Sequence, residues 1–176
     1  MRWMRPWSRR EAVFLTLSLL LTAALLATGP TVAARFRLGI GLQRAVCLPP
    51  YRVFLIDRKT PPRRGDYITF RADARLQPYF RPGAIIIKAL SGVAGDHVVV
   101  ADTLQINGRV VARPAPGMGM TPLTGALGKD PAALRRDEII PAGACWALGH
   151  TWDSFDSRYW GYVYEDQIIG RAYALW

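Results

Sequence analysis

Lys88 is one of only three lysines among 23 basic side chains, and it closes an apolar run from Ala84 to Ile87. An arginine keeps its proton under ordinary conditions, whereas a lysine withdrawn from water can release one and act as a general base near neutral pH. The ordinary use of a lysine at a strand end is to block edge pairing. Ala89 to Val98 reads as a strand, a glycine-rich turn containing Gly92, Gly95 and Asp96, and a second strand.

A base needs rigid elements to hold it. Val53 to Ile56, Tyr67 to Phe70, Ala84 to Lys88, His97 to Val100, Leu104 to Ile106, Cys145 to Leu148 and Ile168 to Leu175 read as short strands. Each is rich in Val, Ile and aromatic residues and bounded by Gly, Pro, Asp or Asn. Asn107-Gly108 between Ile106 and Val110 is a hairpin signal. Together they predict a mostly β domain, an antiparallel sheet or partly closed barrel. Residues 112–137, rich in Gly and Pro, form an excursion in which Asp130 and Pro131 start a short helix through Arg136. Arg64-Gly65-Asp66 is an RGD tripeptide in a turn, and an adhesion role is not expected of it. Leu76 to Phe80 is either a membrane-dipping stretch or a packed loop.

The 176 residues allow one modest domain, and the first 34 differ from the rest. Arg2, Arg5, Arg9 and Arg10 precede an uncharged stretch from Ala12 to Ala34, long enough for a helix to span a bilayer, which takes ~20 residues. A cleaved signal peptide ending at Ala33-Ala34 is the competing possibility. Retention is favoured, because the apolar stretch exceeds a usual signal-peptide core of ~7 to 15 residues. The expected organisation is a cytoplasmic tail (1–11), a transmembrane anchor (12–34) and an exported domain (35–176). Arg35, Arg37 and Arg44 follow the span and blunt the charge asymmetry that would orient it.

Beyond the anchor, 19 basic and 12 acidic residues leave +7 of the total +10. This excess is spread out, without a basic run or interleaved base-stacking residues, so nucleic-acid binding is not expected and membrane lipid is the better partner. Two cysteines, Cys47 and Cys145, and two histidines, His97 and His150, are too few for a disulfide scaffold or a structural metal site. No cofactor is expected.

The stretch from Lys88 through Gly95 and Asp96 resembles the lysine box of type I signal peptidases, in which a general-base lysine precedes a glycine-and-aspartate turn. Asp156-Ser157-Arg158-Tyr159-Trp160-Gly161 resembles their C-terminal box, Asp-Ser-Arg followed by two aromatics and Gly. The order of segments follows that family over nearly the whole chain. The short length and the run from Ser154 to Gly161 resemble the conjugative-transfer, TraF-type branch, whose members process pilin precursors.

The resemblance implies a nucleophile soon after the span, where the family carries Ser in a Ser-x-Pro segment. The corresponding stretch here runs from Ala45 to Tyr51, and Ser and Thr are absent between Arg35 and Asp57. Cys47 stands in the nucleophile's place, and a thiol ionises more readily than a hydroxyl. Ala45 replaces a hydroxyl residue that helps stabilise the oxyanion, Ala89 replaces a basic residue, and His150-Thr151 replaces Asp-Asn after Gly149. Ser154 is expected to orient the Lys88 amine, and Asp156 and Arg158 to pair and hold the loop, with Ser157, Gly95 and Asp96 in support. The substrate, an exported precursor polypeptide, would add as an extended strand between Leu42–Val46 and Ala84–Ile87, with Val46, Ile85 and Ile87 lining shallow pockets for small side chains. Conjugative-transfer or type IV secretion components are implied partners, and the bacterial inner membrane with an extracytoplasmic catalytic domain is the implied location. Two alternatives stand beside this: an inactive pilus-assembly scaffold with a Cys47–Cys145 disulfide, and a Cys47/His150 pair.

Overall fold

The computed structural model describes residues 7–41 and 47–176. The chain divides into two units between Phe36 and Arg37. In the first, helix α1 runs over Arg9–Arg35. Ser8 opens it with a capping box: its amide donates to Glu11 Oε2 at 2.8 Å, and the Glu11 amide donates to Ser8 Oγ at 3.3 Å. The hydroxyls of Thr16, Thr22 and Thr28 donate to carbonyls four residues back, at 2.9, 2.8 and 2.7 Å. A hydroxyl satisfied inside its own helix can face an apolar medium at little cost. The helix is long and apolar enough to cross a membrane.

The strands, all but Phe36 within the second unit, are β1 (Phe36–Ile40), β2 (Val53–Asp57), β3 (Tyr67–Arg71), β4 (Ile85–Val93), β5 (His97–Val100), β6 (Leu104–Ile106), β7 (Arg109–Ala112), β8 (Arg136–Ile139), β9 (Ala144–Leu148), β10 (Val163–Tyr164) and β11 (Ile168–Ala174). A seven-stranded sheet has the order β1-β2-β11-β3-β4-β9-β10, and a four-stranded sheet the order β7-β6-β5-β8. Every pair with a defined register among the described residues, from β2–β11 to β6–β7, is antiparallel. The fold is therefore mostly β, as expected.

β4 is the spine. Ile86, Lys88 and Leu90 alternate inward along it, and the apolar members join Ile68 and Phe70 of β3 and Ala147 of β9 in one core cluster. A second core, around Trp146, Val98, Leu104 and Ile140, lies between β9 and the four-stranded sheet. The expected glycine-rich turn after Lys88 is shorter than its sequence suggested. Ser91 and Gly92 stay in the strand at a bulge, and the turn begins at Ala94. A Cβ on Gly92 would lie 2.7 Å from Ile140 Cδ1 and 3.0 Å from Trp146 Cβ, so Gly92 serves close packing of β4 against the second core.

Asn107 and Gly108 both have positive φ, 52° and 74°, which is the geometry of the two-residue hairpin read from the sequence. Arg136 and Asp137, assigned to the excursion, belong to β8, because pairing with Val100 and Val99 outweighs their weak strand propensity. Within the excursion, helix α2 covers Thr124–Leu127. Asp130 caps a single 3₁₀ turn, Pro131–Leu134, through the Ala132 amide at 2.9 Å, where a helix through Arg136 was expected. The RGD residues are engaged within the fold: Arg64 pairs with Asp96 at 2.5 Å, and Asp66 with Arg171 at 2.7 Å. Leu76 is buried and Phe80 packs on Phe155, so 76–80 is a packed loop with Tyr79 at its surface.

Candidate active site

Lys88 projects from the middle of β4, opposite Ile68, and is 1% exposed. Its Nζ donates to Ser154 Oγ at 2.7 Å. Among the described residues Ser154 is its hydrogen-bond partner, and no carboxylate pairs with it. A buried amine with a hydroxyl partner and no counter-ion is suited to take up a proton from a neighbouring group.

Ser154 lies in the loop between β9 and helix α3 (Ser157–Trp160). That loop is fastened from several directions. Asp156, fully buried, accepts from the Gly149 amide at 3.0 Å, the Arg158 amide at 3.2 Å, and Arg158 Nε and Nη2 at 2.8 and 2.9 Å. Arg158 also donates to the carbonyls of Ser154 at 2.9 Å, Trp152 at 2.8 Å and Met120 at 3.1 Å. Ser157 Oγ accepts from the Ala147 amide at 2.9 Å, tying α3 to β9. Phe155 anchors the same loop in the core among Tyr79, Phe80, Tyr159 and Trp160.

Cys47 is half-buried, and its carbonyl accepts from the His150 amide at 2.7 Å. Gly149 is where the two segments meet. A Cβ there would overlap Ser154 Oγ and lie 3.0 Å from the Cys47 carbonyl oxygen. Only glycine lets the β9 end carry both groups this closely. Cys47 and Lys88 line one cavity of about 420 Å³ together with Ile85, Ile86 and Ile87. Ile85 is 51% exposed. β9 joins β4 only from Ala89 onward, so among the described residues Ile85–Lys88 is paired with β3 on one side and carries no strand on the other. Val46 lies outside the described residues.

Gly95 and Asp96 form the turn beyond the lysine strand. Asp96 accepts from Arg64 at 2.7 Å, the Val93 amide at 2.8 Å and Asn107 at 2.8 Å. Foremost the Arg64 hydrogen bond, then the Val93 and Asn107 donors, holds its carboxyl down to about 2 against the desolvation that opposes them. This joins the turn after β4, the RGD turn and the Asn-Gly hairpin at one carboxylate.

With this geometry described, the comparison with known proteins is direct. Residues 11–176 match the family model described as signal peptidase, peptidase S26. The chain belongs to the signal peptidase S26 family. It is 33% identical to a signal peptidase I of Leptolyngbya laminosa over 64% of this chain and 51% of that protein. It is 30% identical to a signal peptidase I of Pseudomonas fluorescens over 71% of this chain and 54% of that protein. The chain thus spans about half the length of the curated relatives it matches. A crystal structure of a signal peptidase I from Enterococcus faecalis is similar at 24% identity, with a TM-score of 0.42, covering 64% of this chain and 97% of that one.

In this family member the two cysteines are free thiols. Cys145 is buried in β9 opposite Val163 and lines a different cavity, beside Glu165, so the expected disulfide alternative is not formed. Burial first, and Glu165 second, push the Cys145 thiol up to about 12. The His150 ring packs against Tyr67, centroids 5.7 Å apart, and no hydrogen bond between that ring and Cys47 exists among the described residues. Sequence reasoning missed Gly149 as a contact point and β1 as a cavity wall. The alternation of Phe36, Leu38 and Ile40 was a signal for β1, weakened by Gly39, whose absent Cβ leaves room for Ile56 and Ile87 at 3.1 and 3.2 Å.

Proposed function

We propose that this chain is a membrane-anchored endopeptidase that cleaves exported precursors bearing a signal-peptide-like segment, with Cys47 as nucleophile and Lys88 as general base. What carries the reading is the buried Lys88 amine, held by Ser154 Oγ at 2.7 Å and sharing a cavity with Cys47. The substrate lies extended along the edge of Ile85–Lys88 that no described strand pairs, and the apolar spaces beside Ile85 and Ile87 take its side chains. Lys88 accepts the thiol proton as Cys47 Sγ attacks the scissile carbonyl. The C–N bond then breaks, a thioester forms, and the proton held by Lys88 passes to the departing amine. Water, deprotonated by the Lys88 amine, then hydrolyses the thioester, and Lys88 returns that proton to the departing Cys47 thiolate. Ser154 keeps the amine on this path, and the Asp156–Arg158 pair with Ser157 keeps Ser154 in place.

The finer reading is a conjugative-transfer enzyme that processes pilin precursors beside type IV secretion components, supported by the run from Ser154 to Gly161. Residues 12–34 are the single-pass anchor in the inner membrane, 1–11 the cytoplasmic tail, and 35–176 the domain on the extracytoplasmic side. The test is cleavage of a pilin-type precursor and of an unrelated signal-peptide precursor by the full chain in detergent. Lys88→Met is expected to cost ~100- to 10,000-fold in rate, the usual contribution of a positioned base. Cleavage persisting in Lys88→Met at the wild-type rate overturns the mechanism. Equal processing of both precursors overturns the pilin assignment.

A further inference from the structure

A second cavity, of about 980 Å³, begins along β4 where the first ends. The first takes Ile85 to Lys88, and the second takes Ala89, Leu90 and Ser91. Its walls include Gly149 and His150, the residues in contact with the Cys47 carbonyl. The excursion supplies the facing wall through Arg113, Pro114 and Ala115.

Strand addition cannot continue into this space. From Ala89 onward the β4 edge is occupied by β9, with Ala89 opposite Leu148. A substrate held along Ile85–Lys88 therefore leaves the backbone ladder at the nucleophile, and the part beyond the scissile bond is held by side-chain contacts. Two large apolar side chains stand open there, Trp152 at 41% exposure and Val111 at 46%. Arg64, Arg113, Arg158, Asp153 and Asp156 all line the cavity; Arg158 is paired with Asp156 and Arg64 with Asp96, which leaves Arg113 and Asp153, of opposite sign, to set the charge offered to a ligand. Exposed apolar surface in a concave space is the usual mark of a site for an apolar group.

We propose that this cavity is the leaving-side subsite, and that Trp152 and Val111 select a bulky apolar residue immediately after the scissile bond. This rests on the assignment of Cys47 and Lys88 above. At about 980 Å³ the cavity has ample room for one large side chain after the scissile bond.

The experiment uses peptides with one acyl side and Gly, Asp, Leu or Phe directly after the scissile bond, with the full chain in detergent. The expected result is kcat/KM for Leu and Phe about tenfold or more above Gly, the scale of burying one such side chain, with Asp no better than Gly. Trp152→Ala is expected to bring the Phe-to-Gly ratio close to one, while Ile139→Ala, an exposed change on β8, leaves the ratio as it is. Labelled versions of the same peptides are also bound to the Cys47→Ala chain and followed by fluorescence anisotropy, which needs no turnover. A wild-type ratio near one in both measurements, or a ratio that survives Trp152→Ala, overturns the subsite while Lys88-dependent cleavage stands. Binding to the Cys47→Ala chain that prefers Phe, with none of the peptides cleaved by the wild-type chain, supports the subsite and overturns the catalytic assignment.

Discussion

Cys47 and Cys145 are the same side chain in opposite surroundings. Cys145 sits inside the sheet, where burial first and the nearby Glu165 second push its thiol up to about 12, which disfavours the thiolate. Cys47 sits half-buried at a cavity wall, shares that cavity with a buried lysine, and is held through its carbonyl by the His150 amide. Reactivity in a thiol comes from access and a proton acceptor, and the proposed mechanism assigns both to Cys47, beside Lys88, and not to Cys145.

The largest expected effect breaks this comparison from the reactive side. Cys47→Ala should remove precursor cleavage by roughly a million-fold, the scale of losing the nucleophile from a site whose groups act together. Cys145→Ala should leave the rate near wild type and cost about 1 kcal/mol of stability, read by thermal unfolding. If both variants lose activity alike, the two environments are not functionally different.

Next in size is the loop that supports Ser154. Arg158→Ala leaves the Asp156 carboxylate buried and unpaired, which should destabilise the domain by about 3–5 kcal/mol in a urea titration. Ser154→Ala removes the only described partner of the Lys88 amine while the fold remains. A loss of about 10- to 100-fold in kcat, with little change in KM, is expected of a group that acts by positioning another.

The smallest effect concerns Asp96, away from both cysteines. Its carboxyl is held below the ordinary value, so the stability it contributes is present above about pH 4 and is lost as the pH falls toward about 2. Arg64 is 46% exposed and screened by water, so the contribution is about 1 kcal/mol. Asp96→Asn should lower stability at pH 7 by that amount and flatten the acid limb of the stability curve.

Much of the strand framework was legible in the residues. β5 and β6 begin and end where alternation and the Asn-Gly turn put them, because each has a nearby partner and a solvent face. The bulge at Gly92 was not legible, since what forbids a side chain there is Ile140 and Trp146, brought in from other strands. β8 was hidden for a similar reason: Arg136, Asp137 and Glu138 have poor strand propensity and are carried by pairing with β5. At the site, Lys88 and Ser154 were found through their flanking motifs. The contact of Gly149 with the Cys47 carbonyl joins two segments far apart in the chain, and nothing local in either one announces it.

The most direct test is the alkylation rate of Cys47 against pH, measured on the full chain carrying Cys145→Ala, with and without Lys88→Met. The account predicts a single fast-reacting thiol whose pH profile changes when Lys88 is replaced. An identical profile in both chains would contradict it, because Cys47 would then be an ordinary exposed thiol beside a lysine that does nothing to it.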